Sequence, residues 1–208
     1  MNLKRSLLLL CLSLSALVHT ARGQWLVVDG SNLAQNIQNV VQNSSTASNM
    51  VKSLQESIKI YNQGKAYYDA LKSVHSLVRD AYKVKRTIEM VSEITNIYVS
   101  GFNRMVSDRN FTPAELAALS SGYARLLKES GALIVELKNV VTSGNGLSMS
   151  DKERMDIVDR VYTKILSYRN LTQYITNKAI SVSFIRSRAR NDIARVQALY
   201  GKPSERYW

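Results

Sequence analysis

Residues 111–141, FTPAELAALSSGYARLLKESGALIVELKNVV, carry the clearest local structural signal in the chain. Thr112 stands where a helix N-cap is needed. Pro113 suits the first helical position, where a missing N–H costs nothing, and Glu115 completes a reciprocal capping box. Phe111 and Leu116 occupy the two positions of a hydrophobic staple. Leu116, Leu119, Tyr123, Leu126, Leu133, Leu137 and Val140 then keep a heptad-like rhythm, which predicts a helix from 112 to about 142.

The same rhythm extends to both sides. Upstream, Val51, Leu54, Ile58, Tyr61, Tyr68, Leu71, Val74, Val78, Ile88 and Val91 mostly keep three- and four-residue steps, predicting a helix over roughly 46–101. Gly64 is a point where it could bend, and Gly101 with Ser107-Asp108-Arg109-Asn110 ends it. Downstream, Thr142-Ser143-Gly144-Asn145-Gly146 is a turn by composition. Ser150 and Glu153 form a second capping box, and Asp151 and Glu153 suit the positive end of the helix dipole. Val158, Val161, Ile165, Tyr168, Ile175, Val182, Ala189, Ile193 and Val196 carry a third stripe nearly to Tyr200, where Gly201 and Pro203 stop it. With two prolines, nine glycines and 45% hydrophobic residues in 208, the expected fold is all-α: an elongated antiparallel bundle of three long helices, coiled-coil-like. Long helices expose side surface that packs against partners or further copies, so a homo-oligomer is compatible with this architecture.

Residues 1–23 read as a signal peptide. Lys4 and Arg5 form a positive start, Ser6 to Val18 an uncharged apolar run, and Ala21-Arg22-Gly23 a small-residue cleavage site before Gln24. The run is shorter than the roughly 20 residues that a bilayer span needs. The expectation is an exported protein, periplasmic or at the cell surface, with residues 24–208 as a single helical-bundle domain. Cleavage removes Lys4, Arg5, Arg22 and no acid, lowering the formal charge from +12 to +9, and it removes Cys11, the chain's single cysteine. The mature part would hold together by packing, without a disulfide.

Residue types that carry chemistry are sparse. After cleavage His75 is the remaining histidine, and Asp156 and Asp159 lie among Lys152, Arg154 and Arg160 as on a solvated helix face. No phosphate loop, nucleophile elbow or His-Glu-x-x-His run is present. The expectation is a non-enzyme with no cofactor, metal or small-molecule substrate. Charge is more informative. Arg160 to Asn191 contains no acid against seven bases, and Arg186, Arg188, Arg190, Arg195 and Arg206 make a candidate basic patch. Such a stripe suits nucleic acid, anionic lipid or an acidic partner, or it is a solvated face.

Two segments exceed what helix packing requires. At the mature N-terminus Trp25 and an apolar run precede an Asn/Gln-rich helical start, giving Trp25, Val28, Asp29, Asn32, Leu33, Gln35 and Asn36 as a candidate partner interface. At the other end Tyr207 and Trp208 are large aromatics either tucked onto the bundle or left to bind.

Val28-Asp29-x-x-Asn32-Leu33-Ala34-Gln35-Asn36 before long Gln/Asn-rich helices resembles the TrbJ-type minor pilus components of conjugative type IV secretion systems. Over nearly its whole mature length the chain is similar to the TraI-type transfer proteins of Bacteroides-group conjugative transposons. The stretches that carry this likeness are 63–72 (QGKAYYDALK), 111–118 (FTPAELAA), 147–155 (LSMSDKERM) and 203–208 (PSERYW). The resemblance implies a secreted helical protein of mating-channel or pilus assembly, touching the major pilin and a polytopic inner-membrane component, with no catalytic residues to transfer. Better-known members carry a small globular appendage; here the connection from about 101 to 112 is short for one. An exported nucleic-acid-binding protein using the basic C-terminal third is the alternative, and a periplasmic chaperone-like coiled coil a third.

Overall fold

The computed structural model describes residues 30–41, 44–71, 81–142 and 149–202. The described residues are helical and contain no strand: α1 (Ser31–Val40), α2 (Ser44–Leu71), α3 (Ala81–Asn96), a π-helical turn (Ile97–Gly101), α4 (Phe102–Val106), α5 (Pro113–Thr142), α6 (Asp151–Ala189) and α7 (Ile193–Tyr200). The all-α expectation holds. Residues 1–23, expected to be a signal peptide, and Trp25, Val28, Asp29, His75, Arg206, Tyr207 and Trp208 lie outside the described residues.

Three long helices become four rods. The helix expected over 46–101 is divided: α2 packs against α3, which two parts of one straight helix cannot do. Apolar spacing reports which face is buried and not whether the axis continues, and residues 72–80 offer neither Gly nor Pro as a warning. The second rod runs past Gly101. The π-helical turn keeps right-handed helical dihedrals at Gly101 and Phe102, and the Phe102 N–H donates to Tyr98 and Val99 carbonyls, so α3 and α4 are continuous.

Pairings across the bundle set its topology. Lys83 meets Asp159, Glu93 meets Arg169 and Asn110 meets Ser183, a nearly constant offset that makes the α3–α4 rod parallel to α6. Tyr123 meets Thr176 and Glu115 meets Arg186, so α5 runs antiparallel to α6. α2 flanks α3 and α5, and α6 flanks the same two from the other side. Consecutive rods α3–α4 and α5 therefore stand on one diagonal, and residues 107–112 cross the end of the bundle between them. They meet at the centre through Tyr98 and Tyr123, stacked at 5.1 Å, with Phe102 edge-on to Tyr123. α2 and α5 approach closely at Gly131, where an added Cβ would sit 2.8 Å from Ile60 Cγ2.

Both capping boxes form. The Thr112 N–H donates to Glu115 and the Glu115 N–H to Thr112 Oγ1; Ser150 and Glu153 exchange the same pair. α6, with 39 residues, is about 58 Å long at 1.5 Å per residue. It does not reach Tyr200 as expected. Asn191 adopts φ 54°, the Asp192 N–H returns to the Ser187 carbonyl and the Asn191 N–H to that of Arg188. This is a Schellman stop built on Asn instead of Gly, and α7 starts beyond it.

Candidate functional site

Of the described residues in the N-terminal candidate interface, Leu33 and Asn36 are engaged within the chain, while Asn32 and Gln35 are exposed. Leu33 is 1% exposed and Ile37 fully buried, both in the main core. Leu33 is thus corrected from partner contact to core residue: with four rods instead of three, α1 has a place on α2 and α4 that receives it. The polar side of α1 is fastened as well. The Asn36 side-chain amide donates to Asn103 Oδ1 at 2.9 Å and to Ser107 Oγ at 2.8 Å, and Asn103 reaches Asn32 Oδ1 at 3.4 Å.

Three arginines of the candidate basic patch, Arg186, Arg190 and Arg195, converge on the 107–112 crossing. Arg186 donates to the Asn110 carbonyl at 2.7 Å and to both carboxylate oxygens of Glu115, at 3.0 and 2.6 Å. This bidentate pair, with help from the Thr112 N–H, holds the Glu115 carboxyl down at about 2. Arg190 reaches the Arg109 carbonyl and Asn110 Oδ1, both at 3.3 Å. Arg195 pairs with Asp192 at 2.6 Å and stands 3.9 Å from Asp108. Arg188 is exposed. The candidate basic patch is, at Arg186, Arg190 and Arg195, a clasp on the chain's own crossing, and α1 fastens the same crossing through Asn36 and Ser107.

Sequence reasoning missed the centre of that clasp. Asp108, read as part of a helix stop, is a buried carboxylate accepting from Ser183 Oγ at 2.5 Å, Tyr200 OH at 3.0 Å and the Asn110 N–H at 3.0 Å. Asn110 donates to Ser183 Oγ at 3.1 Å, and the Arg104 guanidinium lies 5.9 Å over the Tyr200 ring. A buried charge is tolerated when it is surrounded by donors in this way. Ser107-Asp108-Arg109-Asn110 offered polarity as a cue, but its side-chain partners Ser183 and Tyr200 lie 73 to 92 positions away. The arrangement ties α4, α5, α6 and α7 together.

A different surface emerges on α6. From Thr172 onward the residues turned inward are largely small and hydroxylic: Thr172, Thr176, Ser183 and Ser187 are buried beside Ala179, Ile180 and Phe184. Each hydroxyl is satisfied. Thr172 bonds the Tyr168 carbonyl, Thr176 the Thr172 carbonyl and Tyr123 OH (2.6 Å), Ser187 the Phe184 carbonyl. The solvent side carries Leu171 (43% exposed), Tyr174 (57%), Val182 (38%) and Ile185 (58%), with Lys178 midway and its ammonium 5.7 Å over the Tyr174 ring. Val182 and the exposed Ala189, expected in the buried stripe, are corrected to the outer face. The stripe drifts because ideal 3.6-residue turns do not hold a 3.5 repeat over a helix this long.

An open cleft of about 630 Å³ lies between α1 and α2, lined by Gln38, Val41, Val51 and Gln55 among others. Among the described residues no cluster of His, Cys, Asp and Glu could hold a metal ion, and no helix is long and apolar enough to cross a membrane. A family described as a domain of unknown function (DUF4141) matches residues 6–54, which among the described residues takes in α1 and the first turns of α2. No curated protein and no solved structure matches the chain.

Proposed function

We propose that the chain is an exported structural component of a conjugative type IV secretion system, a minor pilus or stalk-tip part needed for mating-channel or pilus assembly. The observation that carries this reading is the outer side of α6. A bundle that has closed its own core still presents Leu171, Tyr174, Val182 and Ile185 outward in helical register. A face of that kind serves assembly, since covering the part of these side chains still in water contributes about 25 cal/mol for each Å² of apolar surface buried. The charge–apolar–small order of residues 1–23 supports export, and the likeness of 63–72, 111–118, 147–155 and 203–208 to TraI-type transfer proteins supports the conjugative setting. The partners in this reading are a polytopic inner-membrane component, the major pilin and further copies of the chain. No catalytic step is assigned.

The nucleic-acid alternative has lost donors, because Arg186, Arg190 and Arg195 are occupied within the chain. Gene deletion tests the reading: transfer of the element should fall sharply while growth is unchanged, with restoration by the intact gene. Normal transfer by the deletion strain contradicts it. Mass spectrometry of the exported protein should find Gln24, or its cyclised form, at the N-terminus, and Met1 on the soluble protein contradicts export. Leu33→Asp, a natural first variant for an N-terminal interface, is unsuited to the test because it strikes the core.

A further inference from the structure

We infer that the outer side of α6 from Leu171 to Ile185 is the seat of an acidic amphipathic helix contributed by another protein. Leu171, Tyr174, Lys178, Val182 and Ile185 follow one another in steps of three, four, four and three, one continuous seam along a straight helix. The seam spans about 21 Å, or four helical turns. An occupant that matches such a seam along its length is itself a helix with apolar residues at the same spacing.

Charge decides which helix. No acid occurs on α6 between Arg160 and Asn191. On the flanking rods Glu93 is paired with Arg86 and Arg169, Glu115 with Arg186 and Glu129 with Arg125. Those pairs also occupy Arg169 and Arg186, so the charge on α6 between Leu171 and Ile185 is that of exposed Lys178, at the midpoint of the seam. A second copy of this chain fits poorly. The seam is symmetric about Lys178, so pairing α6 with itself in either direction in that register sets Lys178 against Lys178 under an apolar cover, a like-charge contact in a poorly hydrated place. A helix with a Glu or Asp opposite Lys178 and acids along its edges converts the same position into an attractive pair and fixes register.

This inference rests on the reading of the chain as an assembly part, and its test is binding in solution, apart from transfer, so that either can fail alone. The probe is a fluorescein-labelled synthetic helix of about three heptads with Leu at the core positions and Glu at the remainder, beside a twin with Lys for Glu. Fluorescence anisotropy with the mature chain should show the acidic helix binding, weakening with salt, and the basic twin binding at least about tenfold more weakly. Lys178→Glu should reverse that preference. Leu171→Asp with Ile185→Asp should abolish binding while circular dichroism keeps the helix signal. Failure of both peptides to bind, equal binding of the two, or an unchanged preference in Lys178→Glu overturns the inference. So does a dimer in sedimentation equilibrium that Ile185→Asp dissociates, which would make a second copy the occupant.

Discussion

The two halves of α6 use one helix in opposite ways. Between Asp151 and Tyr168 the inward positions Val158, Val161 and Ile165 are apolar and buried, while Asp156, Arg160 and Lys164 face solvent. Beyond Thr172 the inward positions are largely hydroxylic and the outward ones apolar. The second half folds because a Ser or Thr hydroxyl can return its proton to a carbonyl one turn back, leaving a small, internally satisfied surface. That surface admits close approach: an added Cβ at Gly101 would lie 3.4 Å from Thr176 Cγ2. Polar side chains inside a bundle are thus compatible with dense packing when each finds an acceptor. The apolar side chains outside contribute little to this fold, which is what makes them a surface for assembly.

The comparison is broken most severely from the first half. Ile165→Asp places an unpaired charge in the core and should destabilise by several kcal/mol, seen as a collapse of the urea midpoint. Leu126→Asp, at a buried position of α5, should behave alike. In the second half the sensitive groups are hydroxyls. Thr176→Val removes the partner of the buried Tyr123 OH and should cost about 1–3 kcal/mol, more than the isosteric change suggests. Burial pushes Tyr98 and Tyr123 up to about 12, so both stay protonated in the folded chain where the unfolded chain ionises. Their contribution is complete below about pH 10 and is lost as pH rises through about 12, and Tyr123→Phe should shallow that alkaline decline.

A smaller effect comes from the clasp. The Glu115 carboxyl is held at about 2, chiefly by Arg186, so its contribution is present above about pH 4.5 and fades as pH falls toward 2. The pair is about a third exposed, and solvent screening keeps its share of stability modest. Arg186→Ala should remove that acid-limb slope. Smallest of all, Ile185→Asp should change stability by about 0.5 kcal/mol, because more than half of the residue is already exposed.

Much of this fold was legible in local chemistry. Thr112-Pro113-x-Glu115 and Ser150-x-x-Glu153 mark the starts of α5 and α6 because capping is settled within four residues. The α5 stripe from Leu116 to Val140 is largely buried as its spacing says. What stayed hidden depends on distant partners. The side-by-side packing of α2 and α3 carries no Gly or Pro signature in 72–80. The stop at Asn191 needs a left-handed Asn, which a helical pattern tolerates in silence. Leu33 looked surplus only while the bundle was counted as three rods. Arg186, Arg190 and Arg195 looked like an outward patch because Glu115, Asn110 and Asp108 lie far away in sequence. On α6 the expected stripe put Val182 and Ala189 inward, and Leu171, Tyr174 and Ile185 fell outside the stripe.

Thiol accessibility along α6 tests the reversal most directly. Export cleavage would leave the mature chain without cysteine, so single Cys substitutions at Ile165, Leu171, Ile180, Val182, Phe184 and Ile185 report one position each. In the purified mature protein, Leu171→Cys, Val182→Cys and Ile185→Cys should react with a maleimide at rates near that of an unfolded chain, while Ile165→Cys, Ile180→Cys and Phe184→Cys stay protected until denaturant is added. Protection at 182 and 185 together with rapid labelling at 180 and 184 would contradict the account, because the helix would then bury one apolar stripe from end to end.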